Sequence, residues 1–116
     1  MIHKYRAWDR ETKSMNGMAE IYRNRKQEIE LHPRDENIIL MQSTGLRDKN
    51  GKEIFEGDVL ETKDGLLDGV VEYRTDLGMW TNSLFRYNNF ERLCNVADST
   101  YIIGNIYENP ELLETN

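Results

Sequence analysis

The segment Gly45-Leu46-Arg47-Asp48-Lys49-Asn50-Gly51-Lys52-Glu53 comes nearest, by residue type, to a site for chemistry. Two glycines ahead of a lysine could cradle a phosphate on backbone amides, but here they enclose five residues where a phosphate-binding loop needs four. Glu53 also stands where a Ser or Thr would hold magnesium. A calcium loop counted from Asp48 fails as well, because glycine arrives fourth rather than sixth and Val59 fills the twelfth position, which needs a bidentate carboxylate. His3 and His32 have no partner at helical or strand spacing, and both read as surface or cap residues. The single cysteine, Cys94, can form neither an internal disulfide nor a multi-cysteine zinc site. No metal ligand, no cofactor and no catalytic residue is expected.

Carboxylates are plentiful, with Asp9, Asp48, Asp58, Asp64, Asp68 and Asp76 in or near expected turns. Aspartate is favoured there because its side chain accepts hydrogen bonds from nearby backbone amides, a role that needs no acid–base chemistry. An enzyme of unknown class built on Asp58, Asp64 and Asp68 is therefore the third-ranked reading. Asp58, after Gly57, is where a perturbed carboxyl is first to be sought, since a tight turn aims several N–H groups at one side chain. Cys94, within Phe90-Glu91-Arg92-Leu93-Cys94-Asn95-Val96, reads as a small buried hydrophobe.

A basic and aromatic surface is the remaining candidate. If residues 21–27 are extended, Arg23 and Arg25 share one face with Lys26 close by, able to contact successive phosphates. Trp8, Trp80 and Tyr87 could stack on bases, the combination by which small barrels hold single strands. Against this stand the overall charge of −6 and the habit of tryptophan to lie in the core of a small domain.

Charge is unevenly distributed. Residues 1–34 carry eight Lys or Arg against five Asp or Glu, net +3, whereas residues 35–116 carry seven against sixteen, net −9. The two parts can attract each other, within one subunit or between subunits. Leu, Ile, Val and Phe number 27 of 116 residues, enough to fold but only a modest core, so burial between identical subunits is expected to add to it. No apolar run approaches the roughly 20 residues that span a bilayer, and Met1-Ile2-His3-Lys4-Tyr5-Arg6 lacks the apolar centre of a secretory signal. A cytoplasmic protein without membrane contact is expected.

These candidates are positioned by short strands separated by turn residues. His3 to Asp9 alternates and predicts a strand; Asn16-Gly17 predicts a reversal; in Ala19 to Leu31, Ile21, Arg25 and Ile29 have helical spacing while Ile21, Ile29 and Leu31 share strand parity, and the extended reading is preferred up to the break at His32-Pro33. Ile38 to Met41 predicts a buried strand. Asp48-Lys49-Asn50-Gly51 and Glu56-Gly57-Asp58 predict two turns within some twenty residues. Residues 59–63 and 70–74 form a hairpin across Asp64–Gly69, followed by strands over 79–85, 90–96 and 100–107, the last central in its sheet. Asn109-Pro110-Glu111 starts a single helical turn packed by Leu112 and Leu113. The expectation is one mainly-β (all-β) domain over residues 1–116, a small barrel or two-sheet sandwich with a short C-terminal helical turn.

The run Gln42 to Val59, reading QSTGLRDKNGKEIFEGDV, resembles the core signature of the YopX family, small proteins encoded by bacteriophages and prophages. Tyr5-Arg6-Ala7-Trp8-Asp9 and Ile103-Gly104-Asn105-Ile106-Tyr107-Glu108-Asn109-Pro110-Glu111-Leu112 resemble it at the expected ends, so three ordered motifs bracket nearly the whole chain. The resemblance implies a mostly β, self-assembling protein of phage origin made in the bacterial cytoplasm. It implies no activity and carries over no catalytic residue. The first-ranked expectation is a non-enzymatic phage accessory protein acting through contacts with a host or phage protein and with copies of itself. Single-stranded nucleic-acid binding ranks second.

Overall fold

The computed structural model describes residues 2–22 and 37–114, with side chains described for residues 4–15 and 37–113. The fold is mainly β, in a four-stranded and a five-stranded sheet, with a short helical turn near the C-terminus. Contacts divide the chain into two units, residues 1–43 and 44–116.

In the first unit, β1 (Ile2–Asp9) pairs antiparallel with β2 (Ser14–Tyr22) and with the start of β3 (Ile38–Arg47). The reversal between β1 and β2 lies at Arg10–Lys13, where the Asp9 carboxylate accepts the Glu11 and Thr12 N–H groups at 2.9 and 3.2 Å. Asn16-Gly17 is not that turn. It falls inside β2, where the register shifts so that Arg6 faces Met18 and Ala7 faces Asn16, leaving Gly17 as the extra residue of a bulge. A glycine beside an asparagine serves either geometry, and local sequence does not choose between them. Trp8 is 7% exposed and Met41 1%.

In the second unit the end of β3 lies beside β4 (Glu53–Phe55). The five-stranded sheet runs β8-β7-β6-β5-β9, built from β5 (Asp58–Glu61), β6 (Gly69–Arg74), β7 (Met79–Leu84), β8 (Phe90–Arg92) and β9 (Tyr101–Asn105). One face of it carries the core, where Leu60 and Val71 pack with Ile54, Leu93 and Ala97, flanked by Leu46, Trp80 and Ile102.

The two turns expected between Asp48 and Asp58 are present, with Gly51 and Gly57 at φ 82° and 86°. Asp48 organises the first. Its Oδ1 accepts Asn50 N–H and Lys52 N–H at 2.9 and 2.8 Å, and its Oδ2 accepts Ile102 N–H at 3.1 Å, while Lys49 N–H donates to Thr100 O at 2.8 Å. The turn is thereby fastened along the outer side of β9. That strand is at the edge of its sheet, not at the centre as its apolar sequence predicts, because the Asp48 turn replaces a sixth strand as its neighbour.

Residues 90–96 also depart from the expected strand. After β8 the chain turns into a one-turn helix α1 (Leu93–Val96) and a 3₁₀ turn (Ala97–Ser99). Helical spacing sends Leu93 and Val96 inward together and leaves Cys94 and Asn95 outside, so Cys94 is exposed rather than buried. A strand would have alternated all four.

Gly69, on β6, lies so close to β7 that an added Cβ would sit 2.3 Å from the Ser83 carbonyl oxygen and 2.5 Å from Asn82 Oδ1. The Gly69→Ala variant is expected to lose about 3 kcal/mol, since backbone must give way. Asp48→Ala is expected to lose about 3 kcal/mol through its stranded N–H donors, and Asp48→Asn about half of that. Urea unfolding with constant m-value checks all three.

Candidate functional site: a cleft on the five-stranded sheet

On the sheet face opposite the core, an open cleft of about 530 Å³ is lined by Val59, Glu61, Gly65, Asp68, Phe85, Arg86, Ile103 and Leu112. Three local devices build it. The first is a bulge in β9: Val59 pairs with Gly104 and Leu60 with Ile102, so Ile103 is left over and stands 43% exposed at the cleft. The second is the 3₁₀ turn Pro110–Glu114, which the sequence predicted. It packs so tightly on Gly104 that an added Cβ would lie 2.9 Å from Leu112 Cδ1 and 2.5 Å from Asn109 Oδ1. Asn105 holds the approach to this turn, its Oδ1 accepting Tyr107 N–H at 3.1 Å and Glu108 N–H at 2.9 Å.

The third device joins two loops into the opposite wall. Asp68 O accepts Phe85 N–H at 3.0 Å, and Leu67 O accepts the Nδ2 of fully buried Asn82 at 2.7 Å. Within residues 62–68, Thr62 N–H donates to Asp68 Oδ1 at 2.9 Å, the Thr62 hydroxyl donates to Asp64 Oδ1 at 3.0 Å, and Leu66 N–H donates to the same oxygen at 3.0 Å. The Leu66 N–H and then the Thr62 hydroxyl hold the Asp64 carboxyl below its usual 3.8, with the Arg86 charge a smaller contributor.

The turn aspartates thus act on their own backbone. Asp58 is fully buried and takes the Phe55 N–H on Oδ2 at 2.8 Å, and Asp76 pairs through both oxygens with Arg74 at 3.0 and 2.9 Å. Asp68 lines the cleft; Asp64 lines a second cavity with Lys49, Thr62, Lys63, Leu67, Ser99 and Tyr101. Asp58 lines neither. The three carboxylates do not converge on one cleft. Among the described residues, no group of three or more His, Cys, Asp or Glu is placed to hold a metal ion.

Of the aromatic and basic residues singled out from sequence, Trp8 is buried on β1 and Trp80 is half-buried on β7, edge-on to Tyr73 with ring centroids 5.0 Å apart. Tyr87 is 50% exposed beside Arg86 of the cleft. Arg23, Arg25 and Lys26 lie outside the described residues. The cleft itself escaped the sequence reading because its apolar members come from four separate segments. The one local sign was Ile102-Ile103, two adjacent bulky residues in a strand with one buried face.

Residues 4–114 match the YopX protein family. The chain belongs to that family. Protein EF1440 from Enterococcus faecalis is similar over 96% of this chain and 97% of its own, at 31% identity and a TM-score of 0.50. Protein yopX from Bacillus subtilis shares the fold over 100% of this chain and 99% of its own, at 23% identity and a TM-score of 0.59. No curated protein matches. In this YopX-family chain the signature residues carry the fold: the Thr44 hydroxyl donates to Ile54 O at 2.8 Å and accepts Leu46 N–H at 3.1 Å, and the Arg47 guanidinium donates to Gly51 O at 2.9 Å.

Because the Asp64 pKa is lowered in the folded state, whatever stability it adds is present above the unfolded value of 3.8 and is lost as pH falls through the lower folded value. An NMR titration is expected to place this carboxyl below 3.8, and the Thr62→Val variant to bring it back toward that value.

Proposed function

We propose that this protein is a phage or prophage accessory protein of the bacterial cytoplasm that works without catalysis, through contacts with other proteins and with copies of itself. The observation that carries this reading is the cleft, where Phe85, Ile103 and Leu112 line the surface beside Glu61, Asp68 and Arg86 over the buried Val59, with Leu66, Tyr87 and Leu113 exposed on residues next in sequence to lining ones. An open cleft with mixed apolar and charged lining fits an extended partner better than a small substrate. The aspartates around it are engaged in holding turns, which suits a scaffold.

Binding of single-stranded nucleic acid ranks second. A tryptophan 7% exposed at position 8 offers a base no face, and residues 44–116 carry seven Lys or Arg against fourteen Asp or Glu. Sedimentation equilibrium tests the leading reading. A reversible dimer or larger assembly is expected, and a strict monomer at high concentration overturns self-association. Tryptophan fluorescence titrated with a single-stranded oligonucleotide at low salt is expected to stay unchanged.

A further inference from the structure

The charges at the cleft are unbalanced. The Arg86 charge helps to hold the Asp64 carboxyl low. The Glu61 side chain is exposed and makes no hydrogen bond or ion pair among the described residues. Asp68 commits Oδ1 to Thr62 and leaves Oδ2 without a hydrogen-bond partner among those residues. Glu61 and Asp68 therefore border the hollow against one lining cation, Arg86, in a unit whose residues 44–116 have net charge −7. A cationic group that enters beside the hollow gains from both carboxylates and from the field of the whole unit.

From this, and resting on the protein-contact reading above, we infer that the cleft binds a peptide segment of a partner that presents one bulky aliphatic or aromatic side chain flanked by Lys or Arg. The apolar side chain enters between Ile103 and Leu112 on one wall and Phe85 on the other, over Val59. The adjacent cation lies against Glu61 and Asp68. Access comes from the β9 bulge, since regular pairing would have set Ile103 opposite Leu60, whose side chain lies in the core. Rigidity comes from Gly104 below Leu112 and from the Asp68–Phe85 backbone bond, so the hollow is formed before the peptide arrives.

The test uses the full chain and a short fluorescein-labelled peptide with one leucine among lysines and arginines, read by fluorescence anisotropy. Two companion peptides replace the leucine by alanine or the basic residues by glutamate. The parent peptide is expected to bind with an affinity that falls as salt rises, the alanine peptide about ten-fold more weakly, and the glutamate peptide not measurably. Ile103→Asp, at an exposed position, is expected to abolish binding while leaving the unfolding midpoint near that of the parent chain. Glu61→Lys is expected to weaken binding about ten-fold without affecting the fold. Backbone amide shifts on adding the peptide are expected to cluster at residues 59–61, 85–86, 103 and 112. Equal binding of the leucine and alanine peptides, or an unchanged affinity in Ile103→Asp, overturns the inference. So does displacement of the shifts to other residues, or an oligonucleotide producing the same cluster. A monomer that binds the peptide would overturn self-association alone, and an assembly that ignores the peptide would overturn this cleft alone.

Discussion

One buried carboxylate holds the second unit in order. Asp48 is 5% exposed, and it collects N–H groups from its own turn and from a strand 54 residues further along the chain. A charged acceptor inside a protein must be surrounded by donors, and donors turned toward it lose their partner if it goes. The turn and the edge strand therefore specify each other. The Ile102 N–H group on β9, which an exposed sheet edge would offer to any passing chain, is closed off by Oδ2 of Asp48, and the Thr100 carbonyl by Lys49 N–H.

The same strand, fixed on its outer side, is free to be irregular in its register with β5. The extra residue Ile103 is tolerated because Asp48 and Thr100 anchor one end of β9, and Asn105 with the turn after it anchors the other. Gly104 lets that following turn lie close on the sheet, which brings Leu112 to the hollow that Phe85 also lines. The cleft is thus a consequence of how the edge is finished. Its walls are short, polar-stapled loops rather than long mobile ones, which is the construction expected of a preformed binding surface.

Much of the local structure was legible. The reversals at Asp48–Gly51 and Glu56–Gly57 follow from residues that accept positive φ and bond their own backbone, and Asn109-Pro110 announced its helical turn. Asp9, Asp48 and Asp64 accept neighbouring amides as turn aspartates do. Where the reading failed, two local structures shared one pattern. Asn16-Gly17 suits a turn or a bulge, Leu93 to Val96 suits a strand or one turn of helix, and Ile102-Ile103 suits a central strand or a bulged edge.

Sequence alone determined the class of fold and the tight turns at Asp48–Gly51 and Glu56–Asp58, because these depend on the intrinsic preferences of glycine, aspartate, asparagine and β-branched residues, which act over a few positions; its three ordered motifs carried the family resemblance. Tertiary structure decided which side of Cys94 faces water, where β9 ends its sheet, and that Val59, Phe85, Ile103 and Leu112 surround one hollow. Those outcomes depend on contacts between residues tens of positions apart, such as Asp48 with Ile102. No local pattern encodes which distant partner will supply the matching surface.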